Sequence, residues 1–195
     1  MSAEDKKIGL IVAMSPMRGI GLSGGMPWKD PVELQHFRLA TLGSVLIVGG
    51  RTVDSLIELK KGLGDKVFTP QEQEVLKGRK IVVVTRKEHV RNYVRLGLYV
   101  ERSLEDAIAK AWELNDEGTQ IYLAGGGQLY KEALEKDLID AMLISHMSHK
   151  VECDTFFPSF DPSEWGNDEL LVAPTFTVEL YTKRKDLNEP ALYSS

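Results

Sequence analysis

A single cysteine, Cys153, stands among 195 residues, so no intrachain disulfide braces the fold and no cysteine–histidine spacing offers a metal site. His36, His89, His146 and His149 show no ligand spacing either, and no metal is expected. Long apolar runs are also missing. The apolar stretch Ile8–Met14 is too short for a membrane span or for the core of a secretory signal, so a cytoplasmic chain independent of membranes is expected. The net charge is −5 and the basic residues form no stripe, which argues against nucleic acid as a partner. There is no internal repeat, no low-complexity segment and no linker. One domain over residues 1–185 is expected, with a frayed tail over 186–195. What remains is an ordinary globular composition, 43% hydrophobic and 27% charged, in a chain long enough to bury a sizeable core.

The strand signals are short and rich in β-branched residues: Ile8–Met14, Ser44–Val48, Lys80–Thr85, Gln120–Ala124 and Asp140–Ser145. Helical patterns lie between them at Pro31–Leu42, Thr52–Lys61, Leu104–Asn115 and Gln128–Leu134. Near-continuous apolar strands such as Ile81-Val82-Val83-Val84 imply burial on both faces. Leu170–Val172 and Phe176–Lys183 have no helix between them and form an antiparallel pair at an edge. The fold class is therefore α/β: one domain, a central and mostly parallel mixed sheet, an antiparallel C-terminal edge hairpin, and helices on both faces. Gly62–Gly78 is polar, and its Pro70–Val75 segment is compatible with a short helix.

The chemistry-bearing segment is Gly25-Met26-Pro27-Trp28-Lys29-Asp30-Pro31-Val32-Glu33-Leu34-Gln35-His36-Phe37-Arg38. Pro31 suits the first helical position, where a missing N–H costs nothing, and Asp30 reads as the N-cap. Helical spacing then sets Glu33 on a face with Phe37 and Ala40. A lone carboxylate among Trp28, Leu34 and Phe37 is desolvated and its pKa is raised, as an acid working near neutral pH requires. Asp30-x-x-Glu33 is also the spacing of a capping box, which the pattern alone favours. The helix by itself does not decide between the two.

Strand ends supply the other candidates. Ile121-Tyr122-Leu123-Ala124-Gly125-Gly126-Gly127-Gln128-Leu129-Tyr130 is a buried strand, a triple glycine and a helix start. Such glycines let backbone approach a pyrophosphate at a helix N-terminus, or simply make a tight turn. The dinucleotide fingerprint G-x-G-x-x-G is absent. Arg51-Thr52 and Thr85-Arg86 each place a guanidinium beside a hydroxyl after a strand, an arrangement suited to a phosphate monoester and equally found among solvated strand ends. Arg79 precedes a buried strand and either clamps a ligand carboxylate or lies on the surface, the local sequence favouring the surface. Ser145 closes a buried strand, where open α/β sheets bind ligands.

Taken in order along nearly the whole chain, these pieces resemble the dihydrofolate reductase family. The carriers are Ile11-Val12-Ala13, Ile20-Gly21, Met26-Pro27-Trp28 with Glu33-Leu34 and Phe37, Gly49 with Thr52, Leu76-x-Gly78-Arg79, Thr85-Arg86, Gly125-Gly126-Gly127 with Tyr130, and Asp154-Thr155-Phe156-Phe157-Pro158. The resemblance implies NADPH-dependent reduction of dihydrofolate to tetrahydrofolate in one-carbon metabolism, by a monomer that antifolates inhibit. It implies that Glu33 hydrogen-bonds the pterin and promotes protonation at N5, that Ser145 links the carboxylate to the pterin, and that Trp28 holds an ordered water. Ile11, Val12, Leu34, Phe37 and Leu76 would border the substrate, and Arg79 would clamp its glutamate tail. For the cofactor it implies Ala13, Ile20, Gly21 and Met26 around the nicotinamide and Arg51, Thr52, Thr85, Arg86 and Arg102 at the adenosine end. Ala124 and Gly125 to Tyr130, including Gln128 and Leu129, would border the pyrophosphate and nicotinamide. A cis peptide between Gly125 and Gly126 is also implied.

Three departures stand out. Gly50 occupies a position where the family usually has lysine or arginine, which implies a weaker preference for NADPH over NADH. Val53 replaces a common aromatic, and Ala124 a larger aliphatic. The competing readings are a riboflavin-pathway NADPH reductase, which lacks the Pro-Trp loop and its carboxylate, and a non-catalytic folate- or nucleotide-binding protein of the same fold.

Overall fold

The computed structural model describes residues 7–54, 78–88, 90, 93–94, 96–116 and 119–184. Among them, eight strands form one sheet. Its parallel part contains β1 (Gly9–Met14), β3 (Val45–Gly49), β4 (Lys80–Val84), β5 (Tyr99–Glu101), β6 (Ile121–Leu123) and β7 (Ala141–Met147). The antiparallel edge is β10 (Phe176–Lys183) against β7, then β9 (Trp165–Val172) outermost. The order across the sheet is β5-β4-β3-β6-β1-β7-β10-β9. A separate two-stranded ribbon joins β2 (Gly19–Gly21) to β8 (Thr155–Phe156).

Alternation along the strands divides the interior in two. Leu10, Val12 and Met14 of β1, Ile47 of β3 and Met142 and Ile144 of β7 pack toward α2 (Leu104–Leu114) and α3 (Gly127–Glu135). Ile11, Leu46, Val48, Ile81, Val83, Tyr122, Leu143 and Met147 point the other way, where Trp28 and the Phe37 and Ala40 side of α1 (Pro31–Ala40) cover them. Ser145 stands between Leu143 and Met147 in this alternation, so it faces α1.

The fold class read from the sequence holds, and so do the edge hairpin and its antiparallel sense. Three short strands went unforeseen. β2, β5 and β8 have three residues or fewer, too short to carry a periodic signal. β9 begins at Trp165 rather than Leu170 because Asn167, Asp168 and Glu169 are exposed on an edge strand, where polar residues are tolerated. α1 stops at Ala40, two residues early, where Thr41 turns its hydroxyl onto the Phe37 carbonyl at 2.7 Å. Residues 50–54 are helical, the start of the helix expected over 52–61, whose continuation lies outside the described residues. The expected helix at 70–75 and the tail 186–195 also lie outside them.

Candidate active site

Asp30 is the N-cap of α1: its Oδ1 accepts from the backbone N–H of Val32 at 2.9 Å and of Glu33 at 3.0 Å. Oδ2 accepts from the Thr175 hydroxyl at 2.5 Å, which ties the start of α1 to the turn before β10. The cap aims Glu33 inward, and the side chain is only 4% exposed. Its carboxyl meets the Ser145 hydroxyl from β7. The capping-box geometry thus supplies Asp30 as cap, while Glu33 is turned to the sheet.

Burial raises the Glu33 pKa to about 7, with the negative charge of Asp30 adding to the rise; the Ser145 hydroxyl, donating to the carboxylate, opposes them. Desolvation is the larger influence, so the carboxyl keeps its proton to higher pH than an ordinary glutamate. Around it lie Ile11 and Trp28, both buried, with Ala13, Phe37 and Ala124 packed against the same cluster. The Trp28 indole N–H is buried and has no partner among the described residues. Tyr130 donates from its hydroxyl to the Ile11 carbonyl at 2.8 Å, and burial together with the nearby Glu33 charge raises its pKa. Leu34 is half-buried on the same helix.

Next to this pocket the C-terminal ends of β3 and β6 meet. The Gly49 N–H donates to the Gly125 carbonyl at 2.8 Å, and the Gly125–Gly126 peptide is cis, as the resemblance implied. A Cβ on Gly126 would lie 3.0 Å from the Thr52 hydroxyl, and one on Gly127 would lie 3.3 Å from the Phe156 carbonyl. A side chain at either position would press on Thr52 or on the β8 backbone, a crowding that glycine avoids. α3 starts at this point with no side-chain cap on Gly126. Its first N–H groups therefore need a partner from outside the helix, and they lie at the positive end of its dipole.

The loop before α1 folds over this end. Leu22 and Gly25 bond reciprocally at 3.0 Å, and Ser23 donates its N–H to Asp154 Oδ2 at 2.7 Å. The Asp154 N–H donates in turn to the Gly21 carbonyl at 3.0 Å. Ile20 packs against the α2/α3 core, Gly21 is buried, and Met26 is 54% exposed at the rim.

The other candidates divide. Thr85 is buried after β4, while Arg51 and Arg86 are exposed near it. Arg102 donates to the Thr85 carbonyl at 3.2 Å and to the Lys87 carbonyl, so its guanidinium braces the strand end. Arg79 is half-buried, its Nε donating to Thr41 Oγ1 at 2.8 Å and another nitrogen to the Arg38 carbonyl. Burial and the Arg38 charge lower its pKa, so it lies beside the last turn of α1 and not out on the surface. The side chains of Val12 and Leu129 belong to the α2/α3 core, on the face of the sheet away from Glu33, so only their backbones can reach a ligand. Gln128 is exposed, and Leu76 lies outside the described residues. Sequence reasoning named Asp154 only among the carriers of the resemblance and gave no role to it, to Lys87, Asp54 or Tyr93. The acid of the Asp154-Thr155 pair and the cation after Arg86 were the available signals.

Among the described residues no cluster of three or more His, Cys, Asp or Glu side chains is arranged to hold a metal, and no helix is long and apolar enough to cross a membrane. A buried carboxyl with a raised pKa stands beside a glycine turn, both at the C-terminal ends of a parallel sheet, which is where open α/β sheets bind small ligands. The family model for dihydrofolate reductase matches residues 7–170. The chain belongs to the dihydrofolate reductase family. It is similar to the dihydrofolate reductase of Schistosoma mansoni, at 29% identity over 187 residues covering 90% of this chain and 92% of the relative. It is likewise similar to that of Pneumocystis carinii, at 28% over 180 residues (84% and 80%), and to the type 3 enzyme of Salmonella typhimurium, at 30% over 167 residues (86% and 88%).

Proposed function

We propose that this chain is a reductase of dihydrofolate, forming tetrahydrofolate, with NADPH as the cofactor. Its family membership supports the reaction, and one observation carries the mechanism: Glu33 is enclosed, bonded to Ser145, and has a pKa raised to about 7.

The chain's own groups divide the work. Glu33 takes the amino and ring N–H side of the pterin and favours a proton at N5, since a desolvated acid gains from sharing its charge or passing its proton to a base. Ser145 orients the carboxyl, and the Trp28 indole N–H, with no partner among the described residues, holds a water or a ligand acceptor beside it. Ile11, Leu34 and Phe37 supply apolar walls for the substrate, with Arg79 at the far end of α1 for its acid tail. The residues present also fit the cofactor. Gly125–Gly127 form a stretch without side chains beside the Thr52 hydroxyl at an uncapped helix start, suited to a pyrophosphate. Thr85, Arg51 and Arg86 suit the adenosine end. When bound, the reduced nicotinamide supplies the hydride. The loop carrying Met26 and Trp28, pinned through Ser23 to Asp154, excludes water from the pocket.

Small-molecule partners follow from this reading: dihydrofolate and competing antifolates, in a cytoplasmic monomer that engages neither nucleic acid nor membrane. A spectrophotometric assay of NADPH oxidation with dihydrofolate tests it. Turnover that a pteridine antifolate abolishes is expected; no turnover, with dihydrofolate bound or not, contradicts it.

A further inference from the structure

Glu33 and Ser145 bond from two separate elements, α1 and β7, so their contact depends on how one element is held against the other. Asp30, the cap of α1, precedes Glu33 by three residues, and Ser148 follows Ser145 by three just past the end of β7. Thr175 binds at both places. Its carbonyl accepts from the Ser148 N–H at 2.8 Å, and its hydroxyl donates to Asp30 Oδ2 at 2.5 Å. The other oxygen of that carboxylate takes the helix N–H groups of Val32 and Glu33, so the link runs from β7 through the turn into the first turn of α1.

Thr175 is itself anchored. It lies in the turn between β9 and β10, which the Ala173 N–H closes on the Phe176 carbonyl at 2.8 Å. Phe176 is buried, pairs with Met147 of β7, and sets its ring 6.0 Å from the His36 ring of α1. Ring packing of that kind is tolerant in its geometry, whereas a hydroxyl donating to a carboxylate is short and directional. The hydroxyl therefore sets the finer placement on which the Glu33–Ser145 bond depends. β1 and β7 face the Glu33 carboxyl with Ile11, Ala13 and Ser145, and the preceding loop with Trp28, none of them charged. α3 contributes the Tyr130 hydroxyl, committed to the Ile11 carbonyl. On α1 stand Asp30, which His149 faces from the loop after β7, and His36, which burial keeps neutral at neutral pH.

We propose that Thr175 is a positioning residue for Glu33: by joining Asp30 to Ser148 it fixes α1 against β7 and so holds the hydrogen bond between Glu33 and Ser145. The inference rests on the reading of Glu33 as the proton-delivering acid and names a residue outside the cleft that governs it.

The test reads the proton on Glu33 itself and needs no turnover. It is a carboxyl-carbon NMR titration of the whole protein carrying isotope-labelled glutamate, with the Glu33 signal identified by its loss in Glu33→Gln. Thr175→Val keeps the side-chain shape and removes the hydroxyl. It is expected to raise the Glu33 midpoint by about half to one pH unit, the share of a hydrogen bond to a charged group that a loosened contact gives up. Thr175→Ser is expected to titrate as the unaltered protein does. In a Ser145→Ala background there is no bond left to hold, and Thr175→Val is expected to add less than about a quarter of that shift. A lower Tm with the midpoint unmoved overturns the inference, because a purely structural tie would give that result. An equal shift in both backgrounds overturns it too, as does a downward shift, the direction in which a weakened Asp30 charge would act. None of these outcomes touches the reductase reading, which the NADPH assay decides. A midpoint near 4.5 in the unaltered protein overturns the inference together with the proton-delivery role of Glu33, and that assay still judges reduction of dihydrofolate by itself.

Discussion

The Glu33 carboxyl on α1 and the Ser145 hydroxyl on β7 meet across the cleft, and the pairing sets two influences against each other. Enclosure favours the neutral acid; the hydroxyl favours the carboxylate. Ser145 is itself 3% exposed and lies opposite Ala13 in the β1–β7 register, so neither partner can turn to water instead.

Removing the hydroxyl should therefore raise the Glu33 pKa further. Ser145→Ala is expected to move the falling limb of the activity–pH profile to higher pH, and Ser145→Thr, which keeps the hydroxyl, to leave it near the unaltered position. A profile that moves down in Ser145→Ala contradicts the hydrogen bond's direction.

The same shift makes stability depend on pH. The folded pKa of about 7 exceeds the ordinary value of 4.5, so between the two the folded chain retains a proton that the unfolded chain has released. Stability is then fully present below the unfolded pKa and declines as pH rises through the folded one. Glu33→Gln carries no charge and removes this decline, which amounts to an order of about 3 kcal/mol. Urea unfolding midpoints on either side of this window check it: the variant should gain on the unaltered protein as pH rises. Parallel pH dependence in the two would contradict it.

Asp30 closes the first turn of α1 and binds Thr175. Asp30→Ala is expected to destabilise by about 1–2 kcal/mol, read as a lowered Tm, since two N–H groups lose their acceptor. The Thr175 hydroxyl and the backbone N–H of Glu33 hold the Asp30 pKa below its ordinary value. Its contribution is thus present near neutral pH and lost as pH falls through the folded pKa. The Tm difference between variant and unaltered protein should shrink in acid.

Gly50 packs against the buried Thr85, so Gly50→Lys should destabilise the fold. Its Cβ would lie 2.9 Å from Thr85, so the expected result is destabilisation by about 1–3 kcal/mol of overpacking, read as a lower Tm. An unchanged Tm would show that Thr85 yields readily.

Much of this was legible in sequence because local rules and the fold agree. Pro31 after Asp30 fixed the helix start, and the buried run Ile81–Val84 marked a parallel sheet. The triple glycine marked a close backbone approach. What stayed hidden depends on distant contacts. Whether Glu33 caps its own helix or crosses to the sheet is decided by Ser145, far along the chain. The side of the sheet that Val12 faces follows from strand register, and the Asp54–Tyr93–Lys87 connection from three segments with no shared motif. Arg79 read as a surface residue until Thr41 and the Arg38 carbonyl brought it against α1.

The central claim is that the enclosed Glu33 governs proton delivery, and the most direct measurement is turnover of dihydrofolate with NADPH by Glu33→Gln and Glu33→Ala across the acid to neutral range. The expected result is loss of most activity near neutral pH with partial recovery in acid, where solvent supplies the proton. Turnover equal to that of the unaltered protein at neutral pH would contradict it.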